Sequence, residues 1–246
     1  MKLAHLVSIA LLASCQAVSQ SFRAMNASNG PIPPVTEDLT ISMGDLELYS
    51  LTALLSNAVE SSDLQVFMDS NVRSRLSQSH IGFRGDFTVP ADEVWTVTEL
   101  ALLEKGFYLS TLYMGEVEVI TVHRTIRNQL PGSDFEFLEV DVEDLDYLAV
   151  HPGFLFSLRL ELPNTGAHTA QRQVRGRAFH DVEMRCTVVG DNAVLLEGLG
   201  IGVEKIAREL LETDESNWRQ LVRQLRVMEE RAVVRQPANS KGATAG

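Results

Sequence analysis

Residues 191–214 read D-N-A-V-L-L-E-G-L-G-I-G-V-E-K-I-A-R-E-L-L-E-T-D, and the fold turns on how this stretch is taken. Its first half, Ala193–Leu199, is a short apolar run with Asp191-Asn192 before it and Gly200 after it. A run of that length between turn residues predicts a buried strand. Gly198, Gly200 and Gly202 let the chain turn. Val203, Ile206, Ala207, Leu210 and Leu211 then recur at i, i+3, i+4, i+7 and i+8, one face of a helix. Glu204, Lys205, Arg208, Glu209 and Glu212 fall on the other face, with Glu204–Arg208 and Lys205–Glu209 spaced as helical ion pairs. The reading is strand, tight turn, amphipathic helix, with Leu210 buried against the sheet. The glycines do not spell a phosphate loop: G-x-G-x-G is not G-x-G-x-x-G, and no Lys-Ser/Thr follows. No nucleotide, no other cofactor and no metal is expected. Gly200→Ala is expected to hurt if Gly200 has positive φ and to be mild otherwise.

Upstream of this stretch, Phe154, Phe156, Leu158, Leu160 and Leu162 alternate with Leu155, Ser157, Arg159 and Glu161, the pattern of a half-buried strand. Pro163-Asn164-Thr165 ends it and offers a helix cap. Ala167, Ala170, Val174 and Ala178 then follow helical spacing, in a helix weakened by Gly176, which costs about 1 kcal/mol relative to Ala. Residues 182–189 and 193–199 predict two strands around Gly190-Asp191-Asn192. Residues 134–214 therefore form one unit in the order strand, helix, strand, strand, helix. Asp214 is expected to cap a separate amphipathic helix over 215–235, with Trp218, Leu221, Val222, Leu225 and Met228 on its apolar side, packed on this unit or on a partner chain. Residues 236–246 read as a disordered tail.

A first unit spans 37–128. Leu51, Leu54, Leu55, Ala58 and Val59 make a helical stripe, and 64–68 read as a strand. In 80–89, Ile81 and Phe83 alternate with polar residues. Pro90, Asp92 and Glu93 suit a helix start, and the helix continues through Trp95, Leu100 and Leu103 to Gly106. Residues 107–113 and 116–122 predict a hairpin around Met114-Gly115. Pro131-Gly132-Ser133 marks the division, and each unit is expected to have its own core. The acidic run from Asp134 to Asp146 has no calcium-loop register and reads as a strand with a charged edge leading into a short turn. The fold class is α/β (α+β): two small mixed units and a C-terminal helix.

The chain has 246 residues, 45% of them apolar, enough for ordinary cores. Its net charge of −12 argues against nucleic acid and against anionic lipid held by charge. Residues 1–14 read as a signal peptide: Lys2, then an apolar run over 3–12 too short to span a bilayer. Leu12-Ala13-Ser14-Cys15 resembles the lipobox of bacterial lipoproteins, which implies lipid on Cys15. Gln16 rather than Asp follows, so the resemblance implies the outer membrane. Residues 15–36 contain Ser, Asn, Gly and Pro without apolar period and read as a flexible tether. With Cys15 lipidated, Cys186 is the remaining thiol. It lies in an expected strand and reads as a small buried hydrophobe.

Both units resemble the periplasmic ring domains of secretins, the outer-membrane channel proteins of type II secretion. In the second unit the residues that carry this are Phe154 to Leu162, Thr165 to Ala170, Asn192, Val194 to Leu196, Gly198, Val203, Ile206, Leu210-Leu211 and Asp214. In the first they are Leu51 to Leu55, Val66-Phe67-Met68-Asp69, Asn71-Val72-Arg73, Val89 to Trp95 and Gly106-Phe107. The match spans residues 45–214. It implies a KH-like fold, side-by-side packing into rings, and a partner that is a secretin or another copy of the chain. Secretins continue into a β-rich channel domain that this sequence does not include, so the resemblance implies docking rather than a pore.

No enzyme signature stands out. G-x-S-x-G, H-E-x-x-H and C-x-x-C are missing, and His168 and His180, twelve apart, share no helical face. His123 has no partner that spacing alone can name. No catalytic residue is selected and the chain is expected not to be an enzyme. The alternatives are a periplasmic enzyme or ligand-binding lipoprotein, and an envelope scaffold unrelated to secretion. Cys15→Ala is expected to release the protein from membranes or block its maturation. Unchanged fractionation and processing of that variant would refute the lipoprotein reading.

Overall fold

The computed structural model describes residues 32–42, 48–62, 64–114, 117–125 and 137–234, with side chains outside the description at 113–118 and 228–234. The expected signal peptide, Cys15, most of the tether, the division at 131–133 and the tail lie outside these residues. Within them the protein is a mixed α/β structure of two small units and a C-terminal helix.

The first unit is built on the hairpin β6 (Phe107–Met114) and β7 (Val117–Arg124), paired from Phe107↔Arg124 to Met114↔Val117. Strand β3 (Gln65–Phe67) runs parallel to β7 at its edge. Helices α1 (Leu51–Ser61) and α3 (Val94–Glu104) bury Leu54, Leu55, Ala58 and Leu102 in a cluster with Leu109, Ile120 and Val122 of the hairpin. Gly106 closes α3 at φ +77, the left-handed conformation expected of a helix C′ glycine. Helix α2 (Ser70–Ser77) is absent from the sequence reading. Its apolar pattern is only Val72 and Leu76, but Asp69 caps it by accepting hydrogen bonds from Asn71 N at 2.7 Å and Val72 N at 2.9 Å. Residues 80–89 form two strands, not one. β4 (His80–Gly82) pairs with β2 (Leu48–Ser50), and β5 (Phe87–Val89) pairs with β1 (Leu39–Ile41).

The second unit is a four-stranded sheet in the order β12-β13-β9-β8: Arg185–Val188, Ala193–Leu199, Leu155–Glu161 and Leu138–Val140. β8 is followed by a 3-10 turn and by α4 (Leu145–Val150), a helix where the acidic run predicted a turn. β9 and β13 pair antiparallel with Leu196 opposite Leu158 and Val194 opposite Leu160, so these four share the face that meets α5 (Ala167–Val174) and α6 (Gly200–Val234). β9 departs from the expected alternation: Leu155 and Ser157, on its other face, are buried too. Leu155 belongs to a small cluster with Leu103 and Tyr108, because the first unit packs across that end of the sheet.

Three further expectations change. Ala178 is not helical: α5 stops at Val174, Gly176 takes φ +77, and β10 (Ala178–Phe179) turns back on β11 (Val182–Glu183) through His180 and Asp181, both at positive φ. Asn164 and Thr165 do not cap α5, which starts at Ala167 after an N-cap Gly166 that offers no side-chain hydrogen bond. Asp214 begins no new helix. It sits inside α6, a single 35-residue helix, and its carboxylate accepts hydrogen bonds from Asn164 N, Asn164 Nδ2 and Thr165 N at 2.7–2.8 Å. The sequence offers Asp a role as a cap. The tertiary structure makes it the acceptor for a turn fifty residues earlier.

The two units do not have separate cores. One contiguous cluster runs from Leu54 and Ile120 to Phe156 and Leu210, and β6 touches β9 where Leu109 N donates to Gly153 O at 2.8 Å. The end of the expected tether belongs to it as well: Ile32 and Val35 are buried, and Ile32 N donates to the Tyr147 hydroxyl. Among the described residues no helix is long and apolar enough to cross a membrane.

Gly200 has its own explanation. Its φ is not in the left-handed range, but a Cβ there would stand 2.1 Å from His151 O, a backbone atom fixed by the junction beneath it. Gly200→Ala is therefore expected to destabilise by at least about 1–3 kcal/mol, the cost of overpacking. Leu210→Ala, from a side chain 2% exposed, is expected to cost about 2–5 kcal/mol. Urea denaturation measures both, and an unchanged midpoint for Gly200→Ala would show that the close approach does not constrain the fold.

Candidate functional site

Helix α3 is apolar on its buried side, with Trp95, Leu102 and Leu103, yet Glu99 shares that side and is fully buried. Glu99 Oε1 lies 2.8 Å from His151 Nδ1, and Oε2 accepts a hydrogen bond from Gly153 N at 2.8 Å. His151 stands just after α4, ringed by Trp95, Tyr147 and Phe154 at centroid distances of 4.6–6.5 Å. Thr96 Oγ1 donates to Val150 O at 2.7 Å and Trp95 Nε1 to Pro33 O at 3.2 Å. Burial pushes the Glu99 carboxyl above its ordinary range, opposed by His151 and by backbone hydrogen bonds from Gly153 and Phe154. An acid–base pair this composition could in principle move a proton. Here both side chains are closed off from solvent, at 0% and 6% exposure, and the pair joins the two units.

A second polar pair lies on the hairpin. The antiparallel register sets Tyr108 opposite His123 and Ser110 opposite Thr121, on one face of the sheet. Ser110 Oγ and His123 Nε2 are 2.8 Å apart, and the imidazole stacks on Tyr108 with centroids 5.1 Å apart. His123 thus has the partner that spacing alone did not supply. Burial lowers its pKa to about 4, against an opposing influence from Asp69. A serine beside a neutral histidine is the start of a nucleophilic dyad. Ser110 is 0% exposed, which leaves no approach for a substrate. Cys186 is half-buried and its thiol is pushed up to about 11, away from the reactive thiolate. His168 and His180 are exposed on α5 and on the β10–β11 turn. Among the described residues no three His, Cys, Asp or Glu side chains gather as metal ligands.

The glycine turn is used by the chain itself. Gly200 N donates to Phe154 O and Ile201 N to Pro152 O, so the first donors of α6 meet carbonyls of the loop before β9. Gly198 and Gly202 leave room for Met184, whose Sδ would lie 2.3 and 2.8 Å from a Cβ at these positions.

Accessible features lie elsewhere. The outer face of the four-stranded sheet, opposite α5 and α6, holds an open concavity of about 680 Å³ lined by Phe137, Glu139, Asp141, Arg159, Leu195 and Glu197. The outer half of α6 exposes Trp218, Leu221 and Leu225 at 50%, 44% and 54%. A smaller apolar groove, with Leu55, Val59, Val66 and Met68, runs between α1 and the edge strand β3. The sequence showed the α6 stripe directly. It could have flagged Glu99 as a lone carboxylate at helical spacing with Trp95 and Leu102. It held no signal for the concavity, which needs strands distant in sequence to lie side by side.

No family model and no curated protein matches the chain. Among solved structures, a chain of the GspC–GspD complex of the type II secretion system of enterotoxigenic Escherichia coli aligns with 73% of this chain and 99% of its own length, at 11% identity and TM-score 0.28. A chain of the Klebsiella pneumoniae outer membrane complex of PulD, PulS and the PulC HR domain aligns with 80% of this chain at 13% identity and TM-score 0.39. The N-terminal domain of the secretin XcpQ from Pseudomonas aeruginosa aligns with 72% at 9% identity and TM-score 0.22. The alignments span 32% of the Klebsiella chain and 64% of the XcpQ chain. Agreement this slight assigns neither a partner nor an activity.

The His123 pair has a pH consequence. Its folded pKa of about 4 lies below the ordinary 6.5, so the unfolded chain binds the proton more tightly. The stability it contributes is present above about pH 6.5 and is lost as pH falls toward about 4. Glu99, raised, acts with the opposite sign: its contribution falls as pH climbs above its ordinary value. Comparing the wild type with His123→Gln removes the shared Glu99 contribution. The wild type is expected to lose more stability than the variant between pH 6.5 and 4, as read by urea midpoints. Parallel losses would show that His123 is not held neutral by the fold.

Proposed function

We propose that this chain is a non-enzymatic interaction module of the bacterial cell envelope. In this reading it is an outer-membrane lipoprotein facing the periplasm, anchored by lipid at Cys15, and it uses two secretin-like ring domains to dock on a secretin or on further copies of itself. The observation that carries the reading is the residue pattern over 45–214, which runs through both small α/β units. Two features of the fold support it. The acid–base and Ser–His pairs that a hydrolytic reading would call upon are sealed in the core, where they hold elements together. The accessible features are an open sheet face, an apolar helix stripe and a sheet edge, the kinds of surface that bind proteins.

The test pairs binding with a cellular readout. The purified full chain is mixed with the periplasmic ring domains of a secretin from the same organism, and complex formation is followed by analytical ultracentrifugation. Secretin multimers and secreted substrates are compared in cells with and without the gene. Binding together with a fall in multimers or in secretion is expected. No complex, with multimers and secretion unchanged, would overturn the secretin reading.

A further inference from the structure

We infer that residues 32–38 are a releasable clasp over the polar joint between the two units: seated, they keep the joint dry and closed, and lifted, they let it open to water. The inference goes beyond the interaction-module reading and does not rest on it.

The clasp is rooted in one unit and fastened to both. At its root, Asp38 Oδ1 accepts a hydrogen bond from Ala91 N at 2.9 Å, and β1 follows at once, paired with β5 from Leu39↔Val89 to Ile41↔Phe87. All of these residues belong to the first unit. At the far end, Ile32 N donates to the Tyr147 hydroxyl at 2.8 Å, on α4 of the second unit. The next residue reaches back: Pro33 O accepts from Trp95 Nε1 at 3.2 Å, on α3 of the first. Two consecutive residues thus bond to opposite units. Ile32 and Val35 are buried, in the same cluster as Trp95, Tyr147 and Phe154.

Trp95 and Tyr147 also wall in the joint. Together with Phe154 they ring His151, at centroid distances of 6.5 and 4.6 Å for the first two. His151 meets Glu99, Glu99 accepts from Gly153 N, and Gly153 O takes Leu109 N. The clasp therefore bonds the polar atoms of two of the three side chains that enclose the pair. Water admitted beside a buried carboxylate and imidazole raises the local dielectric and weakens their attraction. The clasp is also built to come away whole. Residues 33–36 form neither helix nor strand, so no backbone ladder breaks when they lift. Pro33 and Pro34 have no N–H and are preset near the extended conformation, so the lifted segment strands few donors and reseats with little loss of freedom. A segment held by two apolar side chains and a few hydrogen bonds opens ahead of a packed core.

Native-state hydrogen exchange on the purified full chain tests this amide by amide. Two variants release the clasp from opposite sides: Tyr147→Phe removes the hydroxyl and keeps the ring, and Ile32→Ser leaves Tyr147 in place. The amides to follow are those of Gly153 and Leu109, bonded in the joint to Glu99 and to Gly153 O. In each variant both are expected to exchange about tenfold faster, while the amides of β9 and β13 keep their rates. A second readout is acrylamide quenching of Trp95, with Trp218→Phe in the background so that Trp95 is the single tryptophan. Quenching is expected to rise in both variants. Gly153 and Leu109 amides that keep their wild-type rates in both variants would show that the segment does not control the joint, and would overturn the proposal. Unchanged quenching of Trp95 would do the same. So would sheet amides that speed up by the same factor as the joint, or loss of the whole fold in both variants, because the segment would then be inseparable from the core.

Discussion

A carboxylate removed from water must be given donors, or its burial costs several kcal/mol. Glu99 finds its partners in the other unit: the His151 ring beside one oxygen, the Gly153 amide on the other, and the Phe154 backbone. Much of the molecule follows from that bond. It fixes residues 151–153 against α3, and β9 starts directly after them. Leu109 reaches Gly153 O of this loop and forms its bridge with Phe154. Gly153 packs closely on Glu99: a Cβ there would stand 3.0 Å from Glu99 Cβ.

The same loop receives α6. The His151 carbonyl lies where a Cβ of Gly200 would be, and the carbonyls of Pro152 and Phe154 take the first amides of the helix. The helix is thus aimed by a loop that Glu99 holds. Its middle is tied by Asp214, which satisfies the turn at Asn164-Thr165 and keeps the helix on the inner sheet face. Past Asn217, which still donates to Thr165 Oγ1, the helix goes on with Trp218, Leu221 and Leu225 uncovered.

Glu99, His151 and Ser110 are buried and bonded within the fold, while the surfaces left open are broad. One face of the second sheet carries the helices, and the other carries acidic and apolar residues in the open. The outer helix and the outer sheet face are thus set on opposite sides of the second sheet.

Sequence by itself determined the elements whose burial pattern is local. The hairpin of residues 107–124, the strand–turn–helix at residues 193–211 and the stripe at Trp218, Leu221 and Leu225 follow from periodicity and turn residues, which act over a few neighbours. It did not determine α2, whose start depends on the Asp69 cap more than on an apolar stripe, nor the split of residues 80–89 between two partners. Only the tertiary structure decided that the units share one core. A buried Glu and a buried His 52 positions apart carry no local signature of each other, and neither does Asp214 with Asn164. Periodicity reports which side of an element is dry. Which distant group makes it dry, and whether a helix stops at an Asp or runs through it, depends on donors and carbonyls brought close only when the chain has folded.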